Sequence, residues 1–458
     1  MAQLPDMSLV EASHAIKRGT LSPTDLIEAC LARAAVAEPA IKAFAALDAD
    51  QARRDAAALT DELRRQGARG PLHGIPIGVK DVIDVDGLPT RAGSHVLDNE
   101  PIPADAPVIR RLREAGAVIL GKCTTHEFAC GVTTPPTRNP WNPDHVPGGS
   151  SGGSGAALAA GECLASIGTD SGGSVRVPAA FNGVVGLRPR RETVPMEGIV
   201  PFSWTHDTVG PLGRSADDVA IVWRVMSEDR SATTELPLAH VRMGVFDPLR
   251  KVLEVEPDVE IAYEAAVDVL GRAGANTRNV RITPLAEWGE ARAKVVVCDM
   301  LAAHRDAGWF PQRSDAYSDQ ALAFLRSGEA ITGADLTLAR RRLQGLGEEL
   351  LALYDEVDAL LWPTAILTAP SVAEAVAKSE PGKPPPLVPE TMRATGPVGW
   401  CGLAGLSVPM GRASNGLPMG LQIVTEDESV ALSVGAAFQK VTDHHSARPP
   451  IERFVATS

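Results

Sequence analysis

Two turns built from glycine and serine are the places in this chain where residue type and spacing could do chemistry. Pro-Gly-Gly-Ser-Ser-Gly-Gly-Ser-Gly occupies 147–155, and Gly-Thr-Asp-Ser-Gly-Gly-Ser-Val-Arg occupies 168–176. The small-residue run AALAAGECLASI at 156–167 joins them. Glycine at this density opens backbone conformations closed to other residues and lets a substrate approach the main chain. A flexible linker would have the same composition. Linkers do not come as a pair one helix length apart between apolar segments, so a structured site is the better reading. Upstream, Gly-Val-Lys-Asp at 78–81 ends an apolar run in Lys80. Burial at a strand end strips water from an ammonium group and lowers its pKa toward the neutral, basic form. Most strand-end lysines are simply exposed, so Lys80 gains meaning only beside the serines. A serine hydroxyl is a poor nucleophile until a base takes its proton, and a neutral lysine can replace histidine as that base.

The stretch GGSSGGSGAALAAGECLASIGTDSGGSVRVP at 148–178, with Lys80 in a Gly-x-Lys-Asp context, resembles the signature segment of the amidase signature family. His-Gly-Ile-Pro at 73–76, Arg-Asn-Pro-Trp at 138–141, Asp-Thr-Val-Gly-Pro at 207–211 and Gly-Leu-Pro-Met-Gly at 416–420 are similar to its other pieces. The resemblance implies a nucleophile at Ser174, a bridging Ser150, a base at Lys80, and a cis peptide between Gly149 and Ser150. It also implies the fold, a single large α/β domain with a central mixed β-sheet covered on both faces by α-helices. A homodimer is compatible with it.

After attack on an amide carbonyl, the developing oxyanion requires preorganised donors. The bare turn Ser171-Gly172-Gly173-Ser174 can aim several N–H groups at one point. Ser151 is expected to hydrogen-bond within the same turn and to join Ser171, Gly172 and Gly173 in the oxyanion and substrate-binding set, and Arg176 to brace the loop. Asp170 and Asp207 read as turn residues that satisfy backbone N–H groups. No metal or organic cofactor is required by this chemistry.

The elements around these turns alternate in type. Residues 8–66 carry helical apolar spacing, with Ser22-Pro23 opening one helix as cap and first-turn proline. Short β-like runs follow at 75–79, 82–85 and 117–122, with a helix near 105–115 between them. Further strands are expected at 241–246, 357–362 and 420–424, with an amphipathic helix over 257–272 and a helix-rich middle from 284 to 350. The proline-rich stretch 379–389 reads as a loop. Alternating strands and helices imply an α/β fold. The expected division is an N-terminal helical segment, 1–66, packed as one unit with a catalytic domain, 67–458.

At 458 residues the chain can bury a large core. A net charge of −13 disfavours nucleic acid and anionic membrane surfaces, both of which attract basic faces, and fits a small-molecule substrate better; the resemblance implies that this substrate is an amide. No apolar run approaches the roughly 20 residues of a membrane span, and the acidic N-terminus does not read as a signal peptide, so a cytoplasmic location is expected. The six cysteines at 30, 123, 130, 163, 298 and 401 have no metal-ligand spacing and read as reduced, mostly buried residues. A nitrilase-like cysteine nucleophile has no local motif to support it.

Other readings compete with this one. Gly148-Gly149-Ser150-Ser151-Gly152 matches the Gly-x-Ser-x-Gly elbow of α/β-hydrolases, which would make Ser150 the nucleophile and require one of His206, His240, His304, His444 or His445. A phosphate-binding P-loop lacks its lysine. A catalytically dead scaffold would retain Lys80, Ser150 and Ser174 only by coincidence. The resembled family also includes the glutaminase subunit of tRNA-dependent amidotransferases, although 128–137 departs from the stretch expected there. The expected activity is therefore hydrolysis of a small organic amide, the alternatives being that subunit or a hydrolase of a carboxylated urea derivative. The pocket is expected to draw on 126–137, 201–207 and 284–345. Trp288, Trp309, Phe310 and Phe324 either line it or fill core, core being the commoner fate of aromatics, and Arg305 and Arg313 leave open a carboxylate-bearing substrate.

Overall fold

The computed structural model describes residues 4–229, 234–380 and 388–453. Part of the proline-rich stretch, 381–387, lies outside them. Eleven strands form one sheet among the described residues. In chain order they are β1 (Phe44–Leu47), β2 (Pro76–Lys80), β3 (Val118–Cys123), β4 (Ala165–Thr169), β5 (Val185–Arg188) and β6 (Val209–Gly213). There follow β7 (Arg242–Val245), β8 (Asn276–Asn279), β9 (Ala359–Pro363), β10 (Ala404–Arg412) and β11 (Pro418–Thr425). Their spatial order is β1-β3-β2-β4-β6-β5-β10-β11-β9-β7-β8. Parallel pairing joins β3, β2 and β4, and again β9, β7 and β8, while the centre is antiparallel, so the sheet is mixed.

Residues along β2, β3, β4, β5, β6, β9 and β11 are buried without alternation. A strand buried on both faces needs cover on both sides, and helices supply it. The α/β architecture is therefore as expected, and the helix Pro257–Arg272 and the strands β7, β9 and β11 lie where the sequence pattern put them.

Two local expectations change. The segment 8–66 is helical over Leu9–Lys17, Pro23–Ile41 and Ala49–Gln66, with Ser22 capping the second helix, but it also holds β1. This four-residue strand pairs antiparallel with β3 and ties the N-terminal segment into the sheet edge. Its alternation is too short to register between two long helices. Residues 82–85 are not a strand. Past Lys80 the chain doubles back, Ile83 N–H donating to the Lys80 carbonyl, and only Ile83 makes an isolated bridge, to Ile199.

The helix Gly152–Ala160 follows the first glycine turn, and its small residues have a geometric reason. A Cβ on Gly153 would lie 2.5 Å from the Ala43 carbonyl oxygen and from both Thr124 N and Thr124 O. These are backbone atoms held by the β1–β3 edge and cannot yield cheaply. Gly153→Ala is expected to destabilise the fold by about 1–3 kcal/mol, as overpacking does, read as a lower urea midpoint at unchanged slope.

Candidate active site

Parallel pairing of β2 with β4 aligns Ile77 with Ala165, Gly78 with Ser166 and Val79 with Ile167. The carboxyl ends of both strands therefore open on the same side, where α/β sheets place their sites. Lys80 is the last residue of β2 and Thr169 the last of β4. The second glycine turn follows Thr169 directly, and the first precedes the helix Gly152–Ala160. Lys80 and the two turns, far apart in sequence, thus converge.

Lys80 is fully buried. Its Nζ lies 2.7 Å from Ser150 Oγ and donates to Thr169 Oγ1 at 2.7 Å. Burial lowers its pKa to about 7, against the opposing pull of the Asp207 and Asp170 charges. A substantial fraction is therefore an unprotonated amine at neutral pH, with a lone pair available to the Ser150 hydroxyl. Ser150 follows a cis Gly149–Ser150 peptide. Its carbonyl accepts from His126 N at 3.2 Å and from Thr125 Oγ1 and Thr134 Oγ1, both at 3.2 Å. These contacts hold the residue in place against the lysine.

Ser174 is held beside this pair through its backbone, the Ser151 N–H donating to the Ser174 carbonyl at 3.2 Å. The Ser174 hydroxyl makes no hydrogen bond among the described residues, and the residue lines a cavity of about 580 Å³. The link between the two serine hydroxyls is therefore not closed in this structure. Catalytic hydrogen bonds commonly tighten only when substrate is bound.

The turn carrying Ser174 is shaped by one carboxylate. Asp170 Oδ1 accepts from Gly173 N at 2.8 Å and Arg176 Nη2 at 2.8 Å; Oδ2 accepts from Val175 N at 3.1 Å and Arg176 Nε at 3.0 Å. Arg188 pairs with the same carboxylate. Burial opposes ionisation, but the Arg176 and Arg188 charges outweigh it and hold the Asp170 carboxyl well below the usual range. Arg176 also donates to Gln422 Oε1 at 2.6 Å, so it braces the loop, as expected. Asp207 binds the other side of the turn. It accepts from Ser171 Oγ and from the Phe202 and Ser203 N–H groups at 2.8 and 2.9 Å. Asp170→Asn would strand two buried guanidinium groups, and a stability loss of about 3–5 kcal/mol is expected in chemical denaturation.

Two of the expected donors are redirected by this geometry. The Gly173 N–H is committed to Asp170, and Gly173 does not line the cavity. Ser151 is fully buried, its hydroxyl donating to the Thr169 carbonyl at 3.1 Å, so it positions the turn and does not face a substrate. The N–H groups of Ser171, Gly172 and Ser174 donate to no partner among the described residues, and all three residues line the cavity. These three N–H groups are left to face the cavity.

The cavity walls come from the regions expected, but not always through the residues expected. Ala129, Cys130, Gly131, Phe202, Trp288 and Phe324 line it. Trp309 and Phe310 do not; Trp309 packs on Phe128 and His304. Arg305 and Arg313 are tied to Glu329 and Asp98 on the surface, away from the cavity. Thr169 and Arg292 are not marked by the sequence reading. Thr169 was discoverable as the neighbour of Asp170 in the second turn, whereas Arg292 lies in a helix, Gly289–Asp306, with no local pattern to distinguish it. Among the described residues no histidine ring hydrogen-bonds Ser150. His206 Nδ1 meets Ser203 and Thr205, and His304 Nδ1 meets Tyr317, which removes the support for the α/β-hydrolase elbow. All six cysteines are free, four of them buried. No helix of the described residues is long and apolar enough to cross a membrane.

A family profile described as Amidase matches residues 25–429. The chain is 36% identical to a glutamyl-tRNA(Gln) amidotransferase subunit of Roseiflexus sp. (strain RS-1), over 99% of this chain and 100% of that one. It is 33% identical to an amidase of Pseudomonas putida, over 98% of this chain and 99% of the other. A crystal structure of an amidase superposes with a TM-score of 0.86 at 35% identity, over 95% of this chain and 99% of that one.

Proposed function

The chain belongs to the amidase signature family, and from that premise we propose that it hydrolyses the C–N bond of a small organic amide through an acyl-enzyme at Ser174. The observation that carries the reading is the fully buried, 2.7 Å contact of Lys80 Nζ with Ser150 Oγ, beside a cavity into which Ser174 opens. Ser174 Oγ attacks the carbonyl carbon as its proton passes to Ser150 and the Ser150 proton to Lys80 Nζ. The carbonyl oxygen becomes an oxyanion held by the free N–H groups of Ser171, Gly172 and Ser174. Collapse of the tetrahedral intermediate breaks the C–N bond, and the leaving amine takes a proton back from Lys80 through Ser150. Water then enters by the same route, giving its proton toward Lys80 and its oxygen to the acyl group, and Ser174 is released. Preorganised donors of this kind are each worth about 3 kcal/mol of barrier.

A second reading is favoured by the curated relatives, of which that from Roseiflexus is named as one component of an amidotransferase. On that reading the chain would release ammonia from glutamine within a larger assembly. Glutaminase activity measured with and without added partner subunits separates the two: activity on simple amides by the isolated chain supports the first.

The mechanistic test is covalent. A serine-directed phosphonyl fluoride should modify Ser174, identified by peptide mass spectrometry. Failure to mark Ser174 in folded protein would overturn the nucleophile assignment and restore the scaffold reading.

A further inference from the structure

The cavity wall holds an arginine that has no carboxylate partner among the described residues. Arg292 projects from the helix Gly289–Asp306 into the space beside the nucleophile turn. A Cβ on Gly172 would fall 2.7 Å from Arg292 Nη1, and a Cβ on Gly396 2.6 Å from its Nε. The guanidinium is thus seated in a slot that exists because two facing residues have no side chain. Gly172 precedes Ser174 by only two residues. The one partner Arg292 has among the described residues is the Met392 sulfur, at 3.8 Å from Nη2.

The nearby acids cannot serve it. Asp170 is already shared by Arg176 and Arg188, and Asp207 is engaged by Ser171, Phe202 and Ser203. Of the other charged residues on the wall, Lys294 and Glu290 neutralise each other at 2.9 Å, whereas Arg393 has no carboxylate partner among the described residues. The cavity therefore carries an excess of positive charge on walls that are otherwise largely apolar, including Val296, Val297, Phe324 and Pro397. Burial and the neighbouring Arg176 charge push the Arg292 pKa down to about 10, which leaves it cationic at neutral pH. A planar guanidinium with free N–H groups in an apolar, shielded setting is the arrangement that binds a carboxylate with two parallel hydrogen bonds.

We propose that Arg292 selects substrates bearing a carboxylate a few bonds from the scissile amide, so that short half-amides of dicarboxylic acids, or carboxylated ureas, are preferred over neutral amides. This rests on the amidase reading above. The spacing follows from the seat of the guanidinium against Gly172: a carboxylate docked there leaves room for only a short chain before the carbonyl must meet Ser174. Arg393 adds a second positive charge that draws the anion in.

The test separates binding from turnover. Malonate and succinate, the diacids that such half-amides would release, are titrated calorimetrically into wild-type protein, Arg292→Gln and Arg292→Lys. Binding by wild type, weakened roughly 10- to 100-fold in Arg292→Gln as loss of a charged hydrogen-bond pair predicts, and partly restored in Arg292→Lys, supports the proposal. Absence of diacid binding to wild type, or equal binding by all three proteins, overturns it, whatever the enzyme hydrolyses. In parallel, kcat/KM is compared for malonamate and succinamate against malonamide and succinamide. The ratio of charged to neutral substrate should fall by the same factor in Arg292→Gln, chiefly through KM. An equal loss on both substrates would mark a merely structural role and overturn the proposal. If no amide is turned over while diacid binding depends on Arg292, the hydrolase reading fails and the anion site stands.

Discussion

Ser174→Ala is expected to lower amide turnover by roughly a million-fold in kcat, the loss seen when a serine nucleophile is removed from a protein that otherwise keeps its site. The same substitution should abolish modification by a phosphonyl fluoride. It should leave the unfolding midpoint close to that of the parent, because the Ser174 hydroxyl makes no hydrogen bond among the described residues and its backbone contacts survive. Catalytic loss without a stability loss is the signature to look for. Retained turnover in the purified variant would remove Ser174 from the mechanism and return attention to Ser150, whose hydroxyl lies at the lysine.

Lys80→Met is expected to reduce kcat by about 10²–10⁴-fold, the usual contribution of a general base. Methionine is the better probe than alanine, since it fills the buried volume without a proton acceptor. The pH dependence gives a second readout whose sign is determined. The base is the neutral amine, and burial places its pKa near 7, so kcat/KM should rise with pH through about 7 and level off above it. That limb should vanish in Lys80→Met. The Asp207 charge opposes the shift, so Asp207→Asn should move the limb to lower pH. Ser150→Ala interrupts the relay without removing base or nucleophile and should leave a trace of activity. Full activity of Lys80→Met at neutral pH would sink the relay.

The Arg292 and Lys80 experiments report on different groups. On the proposed mechanism Lys80 acts on the proton, so its loss should slow every amide alike, whereas Arg292 acts on the far end of the substrate, so its loss should change which amide is taken. A mutation that changes both would indicate a shift of the nucleophile turn, to which Arg292 is packed through Gly172.

The candidate site is legible in the sequence because its parts are chemically unusual where they stand. A lysine closing an apolar run, and two glycine-serine turns one helix apart, are local departures from what strands and helices ordinarily contain. The strands β7, β9 and β11 and the helix Pro257–Arg272 were legible for the complementary reason, a strong apolar pattern over several residues. β1 was not, because four residues of alternation between two helices carry too little signal, and its place is decided by pairing with β3. The residues 82–85 read as a strand from their valines and isoleucine, but the chain reverses there to return past Lys80.

What the amino-acid order by itself determined is the family, through the glycine-serine segment at 148–178 and the lysine upstream of it; Lys80, Ser150 and Ser174 are the residues that resemblance proposes for the chemistry. Tertiary structure alone decided which N–H groups of the second turn remain without an acceptor among the described residues, since Asp170 claims that of Gly173, and which arginine lines the cavity. Arg305, Arg313 and Arg292 look alike along the chain. Two of them are neutralised by acids distant in sequence, and the third has no carboxylate partner among the described residues and lies against Gly172, two residues from Ser174. Electrostatic pairing between remote residues depends on distances that only the folded chain sets, because Coulomb energy and desolvation both act through space and not along the backbone.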